Sequence, residues 1–158
     1  MNLRHGLKLV ASVGVCLLAG ALGSVFTSLS VPAWYATLIK PPLNPPSWVF
    51  GPVWTVLYVL MGVSLFLVWQ RYTKSGHARR TMLVFSQQLV LNALWSVMFF
   101  GLHEIGLALI VIILLWLEIA RTIYMFRTVS KTAAYLLVPY LLWVSFAAYL
   151  NAALWRLN

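Results

Sequence analysis

"IGLALIVIILLWLEIARTIYMFR", residues 105–127, carries no charge before Glu118 and meets Arg121 and Arg127 only toward its end. As an α-helix rising 1.5 Å per residue, such a run is long enough to cross the ~30 Å hydrocarbon core of a bilayer. Four more runs of the same kind accompany it, at about residues 7–27, 47–70, 81–101 and 133–155. None alternates polar and apolar residues with period two, and a backbone in hydrocarbon must satisfy its own hydrogen bonds, so the runs are helices and not barrel strands. The sequence predicts one all-α integral membrane domain over residues 1–158, a bundle of five transmembrane helices.

Composition points the same way. Of 158 residues, 63% are hydrophobic and 8% charged, with a mean hydropathy of +0.92, whereas soluble domains carry about 25% charged residues. Eleven Lys and Arg against two acids give a formal charge of +9. A nucleic-acid partner is not expected, because these bases do not stripe a polar face but sit at the ends of apolar runs. Arg4, Lys8, Arg71, Lys74, Arg79, Arg80, Arg121, Arg127 and Lys131 fall on one side of a five-span topology, Lys40 and Arg156 on the other. That asymmetry predicts a cytoplasmic N-terminus, with the first loop and the C-terminus outside. The first span follows Arg4, His5 and Lys8 as a signal peptide would, yet its apolar stretch exceeds the 7–15 residues of a signal core, so it reads as an uncleaved helix.

The first connection, about residues 28–46, is long and holds Pro32, Pro41, Pro42, Pro45 and Pro46. Proline fixes its own φ and pushes the preceding residue out of the α region, so this loop is predicted to be stiff and non-helical, apart from a helical turn at residues 32–39 with Pro32 at its first position. The turn at residues 101–104 and the joint between spans four and five are brief. Without an internal repeat, five spans do not divide into the halves of an inverted-repeat transporter. Pro139, inside the fifth span, predicts a kink near Tyr140. Ala19 and Gly23, four residues apart, permit close helix approach within the bundle or between copies.

Catalytic constellations are thin. Glu104 and Glu118 are separated by most of a helix, which excludes a paired-carboxylate site, and Glu118 is predicted to pair with Arg121 at (i, i+3). His5, His77 and His103 lie in termini or loops, Cys16 stands alone, and no spacing suits a metal, a disulfide or an axial-histidine haem centre. Tryptophan is the abundant residue of interest, with eight copies. Trp34, Trp69 and Trp155, near span ends, suit an interfacial belt; Trp54, Trp95, Trp116 and Trp143 lie deeper. Helical spacing groups the deeper indoles with polar or small residues: Gln88, Asn92 and Trp95 at i, i+4, i+7; Trp54 and Tyr58 at i, i+4; Trp143, Ala147 and Asn151 at i, i+4, i+8. Amides in hydrocarbon need partners, so these faces look inward, either to hold the bundle together or to wall a site for a flat ligand.

Three stretches carry a family resemblance: "WYATLIKPPLNPPSWVFGPVWTVLY" (34–58), "QLVLNALWSVMFFG" (88–101) and "PYLLWVSFAAYLN" (139–151). In order and spacing they closely resemble the TspO/MBR family of tryptophan-rich sensory and translocator proteins, over the whole chain. The resemblance implies a five-helix protein, often a homodimer, whose helices enclose a pocket closed by the first loop and take tetrapyrroles such as protoporphyrin IX or haem as ligand, with no obligatory cofactor. Matched by motif, Trp54, Tyr58, Asn92, Trp95, Trp143 and Ala147 would line that pocket, and Gln88 joins them by its spacing. Some bacterial relatives promote light-dependent breakdown of porphyrin, a role that would fall here to Trp54 and Trp143 as catalytic residues. Cholesterol is not the expected ligand: Val144 and Tyr149 match the first half of the sterol motif, but six residues separate Tyr149 from Arg156, one too many. A bacterial source fits that departure.

The sequence thus leads to a membrane receptor or translocator for tetrapyrroles, with porphyrin photo-oxidation and a purely structural or regulatory partner role as the alternatives. Pro41, Pro42, Pro45, Pro46 and Trp48 are predicted to act as a lid, since proline reduces the entropy lost when a cap is ordered. The orientation has its own test: a cysteine placed near Gly76 is expected to be labelled only from the cytoplasm and one near Leu43 only from outside, and the opposite accessibility overturns it.

Overall fold

The computed structural model describes residues 3–71 and 76–158, and for 76–79 the backbone alone. Lys74 lies outside the described residues, as do the side chains of His77 and Arg79. Five helices are long and apolar enough to cross a membrane, Leu3–Ser30, Ser47–Gln70, Arg80–Gly101, Ile105–Val129 and Lys131–Leu157. They are built from seven α-helical elements: α1 Leu3–Ser30, α2 Trp34–Thr37, α3 Phe50–Gln70, α4 Gly76–Ser96, α5 Ile105–Val129, α6 Lys131–Leu136 and α7 Val138–Leu157. A 3₁₀ turn, Ser47–Val49, leads into α3, and a π turn, Val97–Gly101, ends α4. No strand occurs among the described residues. The helices run a few residues past the predicted spans because backbone hydrogen bonding continues where the apolar sequence stops.

Three junctions differ from simple expectation. Pro139 does not kink a continuous fifth helix at Tyr140; the helix is interrupted at Leu137, two residues earlier, and α7 restarts with Pro139 in its first turn. Proline has no N–H to donate to the carbonyl four residues back and its ring crowds that carbonyl, so the discontinuity falls on the N-terminal side. Between α5 and α6 the connection is the single residue Ser130, which is extended (φ −154°, ψ 113°) and caps α6 by accepting from the Ala133 N–H at 3.3 Å. After the π turn, His103 adopts φ 60°, a left-handed conformation that an L-residue holds at a cost. Its ring is fixed by stacking on Trp34, centroids 4.2 Å apart, and by the Ser30 hydroxyl 3.3 Å from Nε2.

In the first loop the predicted helical turn is shorter than residues 32–39, being confined to Trp34–Thr37. Beyond it, Asn44 N–H donates to the Pro41 carbonyl at 2.9 Å and closes a tight turn with Pro42 at its second position. Tyr35 is buried beneath, and its hydroxyl donates to Asn44 Oδ1 at 2.6 Å. Burial pushes this phenol above its usual pKa, the hydrogen bond to Asn44 offsetting part of the rise. The loop is also tied to the end of α7, where Asn158 accepts from Ile39 N–H at 3.0 Å and donates back to the Ile39 carbonyl at 3.1 Å.

The core runs along α5, whose Ile112, Leu115, Ile119 and Phe126 are fully buried, and α1 lies across α3 and α4. Small residues set that crossing. A Cβ at Gly62 would stand 2.5 Å from Val13 Cα, one at Gly20 would strike the Tyr58 ring, and one at Gly23 would lie 2.9 Å from Ser96 Oγ. Gly23 therefore serves contact within the bundle. Ser64 Oγ of α3 donates to the Ala133 carbonyl of α6 at 2.7 Å, and within α5 Glu118 pairs with Arg121 at 3.1 Å, as predicted. Because a methyl at Gly62 meets backbone and not a flexible side chain, Gly62→Ala is expected to lower unfolding free energy in detergent by about 1–3 kcal/mol. Gly14→Ala, with open space at its Cβ, is expected to be neutral or slightly stabilising; equal behaviour of the two overturns the packing account.

Candidate functional site

A cavity of about 540 Å³ lies between α1, α3, α4 and α7 under the first loop. α3 contributes Trp54 and Tyr58, α4 Trp95 and Ser96, the π turn Phe99 and Phe100, and α7 Trp143, Ala147, Leu150 and Asn151. The rings of Trp54, Tyr58, Trp95, Phe99 and Phe100 form a continuous aromatic wall. Trp54 stacks on Tyr58 at 5.7 Å and on Trp95 at 6.2 Å, Trp95 stacks on Phe99 at 5.6 Å, and Phe50 meets Trp143 edge-on at 6.0 Å. The π turn matters here, since its extra residue per turn places two successive phenylalanines against the wall.

The opposite side, from α1, is small and hydroxylated: Gly20, Ala21, Gly23, Ser24, Thr27 and Ser28. Ser24, Thr27 and Ser28 donate back to carbonyls of their own helix, which satisfies each proton and leaves oxygen lone pairs. Ala21, Ser24 and Ser28, with Gly51 and Thr55 of α3, line the cavity and are also exposed, so it opens sideways between the loop-side halves of α1 and α3.

Beneath the cavity sits a polar knot. Tyr58 hydroxyl donates to Asn92 Oδ1 at 2.5 Å, and Asn92 Nδ2 donates to the Tyr140 hydroxyl at 2.9 Å. Beside it, Trp95 Nε1 donates to Asn151 Oδ1 at 3.1 Å, and Asn151 Nδ2 to the Ile105 carbonyl at 2.8 Å. These bonds fix the Trp95 and Tyr58 rings in the wall. By contrast, Trp143 Nε1 is buried with no acceptor among the protein groups.

Of the residues singled out by sequence, Trp54, Tyr58, Trp95, Trp143 and Ala147 line the cavity together, as does Asn151. Asn92 does not line it but holds Tyr58 from behind. Gln88 is one turn deeper, buried, with neither carboxamide atom hydrogen-bonded, and it does not line the cavity either. Helical spacing put Gln88 and Asn92 on one face, but their depth along the helix separates them. Pro41, Pro42, Pro45, Pro46 and Trp48 do not line the cavity and Trp48 is exposed; the loop meets it through Val31, Pro32, Tyr35 and Ser47. Tyr35 takes the underside of the turn, which leaves the prolines above it. Trp116 faces away, its Nε1 donating to Ser145 Oγ at 2.8 Å. Sequence reasoning missed Tyr35, Phe50, Phe99, Phe100 and the α1 wall; the stripe of Gly, Ser and Thr in an otherwise Leu/Val-rich span was its available signal.

No group of three or more His, Cys, Asp or Glu that would hold a metal occurs among the described residues. The cavity is uncharged, aromatic and laterally open, and it lies in a bundle of five helices apolar enough to span a membrane. The chain belongs to the TspO/MBR family, whose model matches residues 12–156. It is 45% identical over 152 residues to the "Tryptophan-rich protein TspO" of Chlorobaculum tepidum, covering 96% of each chain. It is 45% identical over 153 residues to the protein of that name from Archaeoglobus fulgidus, covering 96% of this chain and 97% of the other. The "Translocator protein" of Bos taurus is 37% identical over 155 residues, covering 94% and 90%.

Gln88 and Asn92 yield opposite expectations. Asn92→Leu strands two buried phenol hydroxyls and should cost about 1–3 kcal/mol of unfolding free energy, whereas Gln88→Leu removes an unpartnered buried amide and should be neutral or stabilising. Chemical unfolding of both variants in detergent checks this, and an equal loss overturns the distinction.

Proposed function

We propose that this chain is a receptor or translocator that binds a tetrapyrrole, protoporphyrin IX or haem, within the bundle, in regulation or transport of porphyrin. The observation that carries the reading is the continuous wall of Trp54, Tyr58, Trp95 and Phe99 facing a cavity of about 540 Å³. A flat macrocycle gains dispersion and ring stacking along such a wall. No His, Cys or Met lines the cavity, so the reading relies on packing of the macrocycle and not on axial ligation of its metal. The lateral opening supports entry from the bilayer, with the first loop above it as a cover braced by Tyr35 and Asn44. The basic-residue asymmetry favours a cytoplasmic N-terminus with the loop outside, and pairing of two copies is part of the same reading.

A second reading, light-driven oxidation of bound porphyrin by molecular oxygen, is favoured by Trp54 and Trp143 both lining the cavity. Illuminating protein with protoporphyrin separates the two: a product absent from dark controls supports the enzyme, binding without product the receptor. Titration in nanodiscs tests the site itself. Trp54→Ala or Trp143→Ala is expected to weaken porphyrin binding by about 1–3 kcal/mol, a magnitude taken from aromatic stacking on nucleobases. Trp155→Ala, which removes a ring outside the cavity, should change it little. Equal losses in all three folded variants, or no binding by the unaltered protein, overturns the proposal.

A further inference from the structure

The cavity wall contains no Asp, Glu, Lys, Arg or His. A carboxylate carried into such surroundings loses hydration that nothing there replaces, so the anionic groups of a ligand must stay at the rim. A cation neighbours one residue of the lining. Lys40 Nζ lies 5.1 Å from the ring centroid of Tyr35, a residue of the cavity lining, and donates to the Ala36 carbonyl at 3.3 Å. That contact leaves the ammonium other protons to donate.

Its backbone is held on both sides. Ile39, the preceding residue, exchanges two hydrogen bonds with the Asn158 carboxamide, and Pro41, the following one, restricts Lys40 to an extended conformation. Lys40 is exposed and forms no ion pair with an acid of the described residues. The other base at this end of the bundle, Arg156, follows Leu154 of the lining by two positions, about 200° around α7, and so projects away from the cavity.

We propose that Lys40 recognises carboxylates, so that the site selects flat apolar ligands bearing an acid at one edge, as the two propionates of protoporphyrin IX do. The assignment rests on the tetrapyrrole reading above, and adds that the macrocycle enters with its propionate edge toward the first loop. Tyr35 and the Asn158 clasp act as positioning groups for the ammonium.

The experiment compares protoporphyrin IX with its dimethyl ester, equal in shape but without the anionic charge, by fluorescence titration of wild-type, Lys40→Gln, Lys40→Arg and Arg156→Gln protein in nanodiscs of neutral lipid. Lys40→Gln is expected to lose roughly ten-fold in affinity for the diacid, with the ester unchanged, as removal of one charge-assisted hydrogen bond implies. Lys40→Arg should retain the preference and Arg156→Gln should match wild type. If Lys40→Gln binds both ligands as wild type does, or loses both equally, the Lys40 assignment fails while the tetrapyrrole reading stands. If wild-type protein binds neither, both fall.

Discussion

Asn92 joins three helices at one point. Its carboxamide, buried among the helices, accepts from the phenol of Tyr58 on α3 and donates to that of Tyr140 on α7. Nothing in a lipid core competes for these bonds, so breaking them leaves three polar groups unsatisfied at once. The knot sits below the cavity, and above it the aromatic faces of α3, α4 and α7 are held apart far enough to leave a space. A bundle packed only by aliphatic contacts would have no such fixed floor, because apolar packing tolerates small shifts in helix register that an oriented hydrogen bond does not.

The other wall depends on what α1 lacks. Gly20 admits the Tyr58 ring, Gly23 admits Ser96, and Gly62 of α3 admits the backbone of α1 at Val13. These approaches bring α1 against α3 and α4 over residues 13–23. Toward the loop α1 stays tied to the π turn, Ser30 donating to the Phe100 carbonyl, while the hydroxyls of Ser24, Thr27 and Ser28 line the cavity on another face. Each of those hydroxyls is already satisfied by its own helix, so the opening can face lipid without an unpaired donor.

The five helices, their order and nearly all of their extents were legible in the sequence, because length and hydropathy are local properties and hydrocarbon permits no other use for such runs. The pairing of Glu118 with Arg121 was legible for the same reason: a single helix turn sets its geometry. Part of the cavity was legible too, since Trp54, Tyr58, Trp95, Trp143 and Ala147 fall at helical spacing. Gln88 shows where that reasoning stops. Periodicity tells which way a side chain points and not what stands opposite it, so an amide that bonds two phenols and an amide that bonds nothing look alike. The proline stretch shows a second limit: stiffness can be read from composition, but which side of a stiff loop faces inward was decided by Tyr35 burying itself beneath the Pro41–Asn44 turn.

By itself, then, the sequence determined an all-α membrane bundle and its connectivity, consequences of period, length and backbone chemistry. Only the tertiary structure decided that Asn92 is a strut and not a wall, that the π turn brings Phe99 and Phe100 to the cavity, and that Ile39 is clasped by Asn158. Each of these joins residues far apart in the chain, and which of them meet is set by the depth and rotation at which whole helices pack, quantities that no single segment encodes.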